Sequence, residues 1–188
     1  MSQTTDAGRL NVGRLGAGLR RLVEREDRAG LAALRRGLGK RPGEAPEMFA
    51  VLVPLLPDGR LHADDEETAY LIASLFASHP ASWAGDGDGR WSRNFGASLR
   101  RLGDATTSQG ADRRMTGLLG SDRERLDDQL RSAVHLLRSK GIPVDWEQLT
   151  WDTLQWDRPD RVVQRRWASA FWASPAATEA GESGDRPE

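Results

Sequence analysis

The chain has 188 residues, 38% of them hydrophobic and 29% charged, with a net charge of −1 and no cysteine. That length and apolar content suffice for one soluble domain in two lobes, while the missing cysteines exclude thiolate nucleophiles, disulfides and cysteine-bound zinc and point to a reducing compartment. No run approaches eighteen apolar residues and no charged-then-apolar leader opens the chain, so neither a membrane span nor a secretory signal is predicted and the expected location is the cytoplasm.

Glycine, proline and polar clusters cut the chain into short segments, nearly all with helical periodicity. The expected fold is all-α, a two-lobed bundle of about eight or nine helices. Residues 1–10 are expected to be a flexible N-terminus, 11–78 an N-terminal lobe, 79–93 a surface loop, 94–173 a C-terminal lobe and 174–188 a disordered acidic tail. Asp27 can cap a helix with the apolar stripe Leu31, Leu34 and Leu38, which Gly37 and Gly39 can end. Met48 to Leu56, bounded by Pro46 and Pro57, reads as a buried two-turn helix. Asp64 to Glu67 place four carboxylates at the start of a helix carrying Leu71, Ile72, Leu75 and Phe76, where the macrodipole favours them.

After the GDGDG stretch, Phe95, Leu99 and Leu102 mark a helix face, with Arg93 and Arg100 on another. A short helix turns Met115, Leu118 and Leu119 inward, with Arg113 and Arg114 at its start. Ser121 and Glu124 form a capping-box pattern ahead of the stripe Leu126, Leu130, Ala133, Val134 and Leu137, which Gly141 ends. Asp145 caps a helix carrying Trp146, Leu149, Thr153 and Trp156, and a last helix carries Val163, Trp167, Ala170 and Phe171. The tryptophans on these stripes, Trp146, Trp156 and Trp167, are read as core rather than base-stacking platforms. Trp83 and Trp91 flank the loop, where they either face a partner or close the loop against the body.

The small net charge hides segregation. Residues 9–41 carry ten basic against three acidic side chains, residues 90–138 ten against six, and residues 54–89 one against seven. Of the 27 basic residues all but two are arginine, whose planar fork matches phosphate oxygens in pairs, although a GC-rich genome gives the same bias. Arginine doublets recur at 20–21, 35–36, 100–101, 113–114 and 165–166, and helices packed side by side could merge them into a phosphate track. Asp127 is expected to pair with Arg131 as an ordinary i, i+4 surface pair.

Catalytic signals are missing. The three histidines, His62, His79 and His135, have no metal-pair spacing, and the carboxylates beside His62 are better explained as helix-start residues than as metal ligands. Asp86 and Asp88 resemble the first ligands of a calcium loop, yet Arg90 and Ala97 stand where later ligands belong. No phosphate-binding loop or nucleophile elbow is present, so no catalytic residue, metal or cofactor is assigned.

The ordered segments NFGASLRRLGD, DRRMTGLLGSDRERLDDQLRSAVHLLRSKGIPVDWEQL and LQWDRPDRVVQRRWASAFW, with the earlier LAALRRG, resemble the CasB family, the small subunit of the type I-E CRISPR surveillance complex Cascade. The resemblance runs roughly from Leu31 to Trp172. It implies an all-α, two-lobed, non-catalytic protein, present as two copies among other Cascade subunits and contacting guide RNA and opened target DNA without cleaving them. Carried over by motif position, it implies contacts from Arg35, Arg36, Arg100, Arg101, Arg113 and Arg114, followed by Arg123, Arg131 and Arg138 on the long helix. Exchange of a DNA duplex for a guide-paired hybrid is near balance, so modest backbone contacts can decide whether the strands stay open. Two other readings fit the residues alone: a helix-turn-helix regulator using helices near Asp112 and Ser121, and a scaffold whose arginines bind acidic proteins.

Overall fold

A computed structural model describes residues 8–83, 93–104 and 108–172. The expected N-terminal segment up to residue 7, most of the expected loop with Asp86, Asp88 and Trp91, and the expected acidic tail lie outside the described residues. Among the described residues nine α-helices follow in order: α1 Val12–Glu24, α2 Arg28–Arg35, α3 Phe49–Leu52, α4 Ala63–Ser78, α5 Phe95–Asp104, α6 Ser108–Gly120, α7 Arg123–Ser139, α8 Trp146–Leu154 and α9 Val162–Trp172. No strand occurs among them, only two isolated parallel bridges, Gly8 with Leu61 and Ser82 with Val144.

Local chemistry sets the helix boundaries. Asp27 and Asp145 accept the backbone N–H of Gly30 and Gln148, satisfying donors that a helix start leaves open. At α7 the cap is Asp122, not Ser121: the Asp122 carboxylate accepts Arg125 N–H, while the Ser121 hydroxyl turns back to the Leu118 carbonyl. Helix α6 starts four residues before Asp112, which places Arg113 and Arg114 in mid-helix rather than at its start. Gly141, at φ 64°, ends α7 in the left-handed region that glycine enters without Cβ strain.

Helix α4 is the spine. Every residue from Thr68 to Ala77 is buried, as a helix packed on all sides requires. Helices α1, α2, α7 and α8 pack around it, while α5, α6 and α9 pack against one another and α5 and α6 also meet α7. Because α8 leaves the C-terminal half to lie on α1 and α4, one continuous core runs from Leu10 to Phe171. Trp146, Trp156 and Trp167 are in that core; the last two rings lie 5.0 Å apart. Asp64, Asp65 and Glu66 stand in the first turn of α4 as expected, and Asp65 is buried there. It is 1% exposed and accepts the Leu10 N–H at 2.6 Å, tying the start of the described chain to α4.

Three further expectations change. Met48, Leu52 and Leu56 face inward, but two 3-10 turns, Pro46–Met48 and Val53–Leu55, flank the single turn of α3, and Phe49 and Val53 remain exposed. Leu38 follows α2 and is exposed rather than part of its buried stripe. Residues 79–82 are pinned to the body rather than looping over it. The buried His79 sets Nε2 2.6 Å from the Ile142 carbonyl, and Ala81 O accepts Val144 N–H and Trp146 Nε1–H.

Candidate nucleic-acid interface

Between α2 and α3 the chain crosses α7 at close range. A Cβ at Gly39, φ 78°, would lie 2.6 Å from Arg131 Nη1, so glycine supplies both the backbone shape and the clearance. Arg131, His135 and Arg138 share one face of α7 through their i, i+4, i+7 spacing. With Arg35 and the exposed Leu38 they border a shallow cavity of about 230 Å³. On the other side of Arg131 a larger cavity, about 640 Å³, is bordered by Lys40 and Arg41 from the crossing segment and by Glu67, Arg123 and Asp127 beneath it. Arg131 borders both, which makes it the centre of a groove between the two halves of the chain.

The Arg131 guanidinium pairs with Asp128, one position from the expected Asp127. Among the described residues Asp127 Oδ1 is buried and has no hydrogen-bond partner. Burial raises its pKa, opposed by Arg123 and Arg131 and reinforced by Glu67. The floor of the groove thus mixes signs, whereas the described residues around the smaller cavity include three arginines and a histidine and no carboxylate.

The other expected contact residues have different surroundings. Arg123 is half-buried and donates to the Thr153 carbonyl and the Thr68 hydroxyl, both at 2.7 Å, tying the start of α7 to α8 and α4. Arg36 lies 3.6 Å from Glu47. Arg101 places its guanidinium 3.8 Å from the centre of the Trp83 ring, and Trp83 Nε1 donates to the Ser98 hydroxyl. Arg114 is half-buried and reaches the Gly110 carbonyl, while Arg113 is exposed on α6 and Arg100 half-buried on α5. None of these last four borders the groove around Arg131.

Helix geometry explains the pattern. Adjacent residues on a helix diverge by about 100° and do not share a face, so each doublet on α5 and α6 sends one arginine outward and packs the other more closely. Spaced single arginines on α7 converge instead. Lys40 and Arg41, which border the larger cavity, were not singled out from the sequence because they lie on the crossing segment, outside any periodic element. The helix-turn-helix geometry is not favoured: Asp122 caps α7 and Glu124 stands in its first turn, with Arg123 drawn inward.

Among the described residues no group of three His, Asp or Glu side chains is placed to hold a metal ion, and no helix is long and apolar enough to cross a membrane.

Comparison with known proteins follows the same outline. The family model for CRISPR-associated protein Cse2 matches residues 30–172. A Cse2 protein of Thermus thermophilus is 32% identical over 151 residues, covering 80% of this chain and 83% of its own. The crystal structure of CasB from Thermus thermophilus is 29% identical, with a TM-score of 0.72 over 87% of this chain and 99% of that one. A chain of a solved CRISPR RNA-guided surveillance complex is 25% identical, with a TM-score of 0.69 over 85% and 92% of the two chains.

Proposed function

Because the chain belongs to the CRISPR-associated Cse2 family, we propose that it is the non-catalytic small subunit of a type I-E CRISPR surveillance complex, holding guide RNA and opened target DNA by their backbones. The observation that carries this reading is the position of Arg131 between two cavities. Arg35 and Arg138 stand around one, Lys40 and Arg41 around the other, and together they offer guanidinium and ammonium donors along a continuous concave surface. A relative within a CRISPR RNA-guided surveillance complex supports assembly with other subunits. Pairing with a second copy and a cytoplasmic location complete the proposal.

The chemistry suits holding rather than cutting. Arginines are permanently charged and match phosphate oxygens two at a time, but they supply neither a nucleophile nor a titrating base near neutral pH. Their contacts would be blind to sequence and strongly dependent on salt. Fluorescence anisotropy with single-stranded DNA, duplex DNA and a mismatched bubble at two salt concentrations tests the reading. The expected order is bubble and single strand above duplex, with steep loss of affinity as salt rises. Preference for one duplex sequence by more than about tenfold would instead indicate base readout.

A further inference from the structure

A third cavity, about 430 Å³, lies away from the groove and among the described residues shares no lining residue with it. Arg20 of α1 and Arg93 border it, as do the rings of Trp83 and Trp146 and the carboxylates of Asp145 and Glu147. Among the described residues its border holds two guanidiniums and two carboxylates, which suits a ligand carrying both an anion and hydrogen-bond donors better than a bare polyphosphate.

The walls are held in place. Helix α1 leaves room for the Glu147 side chain at Gly16, where a Cβ would come 2.6 Å from Glu147 Cγ, and Glu147 pairs with Arg20 there. Asp145 accepts the Gln148 N–H as the cap of α8. A carboxylate has about four lone-pair sites, so Asp145 keeps acceptor capacity for an N–H donor, which every base carries. Trp83 is half-buried, its Nε1–H bound to Ser98 Oγ at 3.3 Å and its ring held by the Arg101 guanidinium. An indole fixed in this way loses little rotamer entropy when a flat group stacks on it.

We infer that this cavity accepts one unpaired base of a single-stranded nucleic acid, stacked on Trp83 with its phosphate within reach of Arg20 or Arg93. Binding there depends on the presence of a base but tolerates any base, since every base offers a π face. The inference rests on the proposed function only in requiring a nucleic-acid partner. It adds a site for the base to a groove for the backbone.

The test compares a short single-stranded DNA with an oligomer of equal length lacking its bases, titrated into the full chain by anisotropy. The intact oligomer is expected to bind about tenfold tighter. Trp83→Ala should bring that ratio to about one while leaving affinity for the abasic oligomer unchanged. Ser82→Trp does the same by filling the cavity from an exposed position on its border, without touching the core. Equal binding of both oligomers by the parent chain overturns the base site and leaves the groove standing. A tenfold ratio that survives in folded Ser82→Trp, judged by helical circular dichroism, also overturns it, whereas failure to bind either oligomer removes the groove reading as well.

Discussion

The Trp167 indole donates its N–H to Asp152 Oδ2 at 2.6 Å, while Gln148 donates to Oδ1 of the same carboxylate at 2.7 Å. Asp152 on α8 is thereby clamped to α9 inside the aromatic core. The two donors and Arg166 favour its charged form and Asp145 opposes it, yet burial outweighs them and the pKa is pushed up to about 6.

A carboxyl raised from 3.8 to about 6 binds its proton more tightly in the folded chain than in the unfolded one. Its contribution to stability is therefore fully present below about pH 4 and declines as the pH rises to about 6, by about 3 kcal/mol in total. Urea unfolding of the parent chain and of Asp152→Asn across pH 4 to 7 isolates this component. The difference between the two should change by about that amount through the window. A flat difference would mean that Asp152 does not titrate there.

Gly96→Ala should destabilise the chain by about 3 kcal/mol or more. A Cβ at this position would lie 2.2 Å from the Trp167 carbonyl oxygen, and that obstacle is helix backbone rather than a flexible side chain. Relief requires α5 and α9 to separate, which loosens the packing of Phe95 on Trp167, whose rings lie 5.2 Å apart. Thermal unfolding checks this; a melting temperature within about two degrees of the parent would show that the helices part at little cost.

Helix faces were legible wherever a 3.6-residue period met a strong cap. Asp27 and Asp145 perform as their positions suggest, and the stripe from Leu126 to Leu137 is buried throughout. Capping at α7 was displaced by one residue because Ser121 and Asp122 are both good caps, and the choice depends on Ser121 being buried against α6, which no local pattern encodes. The residues around the candidate groove were less legible. The arginine doublets stand out in one dimension, but Arg36 meets Glu47 and Arg123 reaches α4 and α8, and partners at such distances in sequence appear only after folding. Lys40 and Arg41 carried no signal beyond their charge.

Arg123→Ala should lower stability by about 2 kcal/mol while leaving nucleic-acid affinity nearly unchanged. Its two hydrogen bonds are half-buried, so removal leaves the Thr153 carbonyl and the Thr68 hydroxyl with one fewer partner each. Equilibrium unfolding and an anisotropy titration separate the two effects. Unchanged stability together with weakened binding would return Arg123 to the phosphate-binding set.

Replacing Arg131 and Arg138 with alanine should weaken binding of single-stranded DNA and lower the slope of log affinity against log salt by about one for each phosphate no longer held. Neither guanidinium is needed for the core: Arg138 is exposed, and the partner of Arg131 is Asp128, itself exposed on the same helix. Arg131 is half-buried and also faces the buried Asp127, but with Asp128 exposed the pair contributes only about 1 kcal/mol or less to folding. The melting temperature should therefore fall only slightly, and a larger loss of affinity reports the surface. Arg100→Ala with Arg101→Ala supplies the comparison. These two lie on α5, outside the groove, and their joint removal should reduce the slope less than removal of the α7 pair, although Arg101 also steadies Trp83. If the α5 pair reduces the slope more, the nucleic acid follows α5 and the groove at Arg131 is not its path.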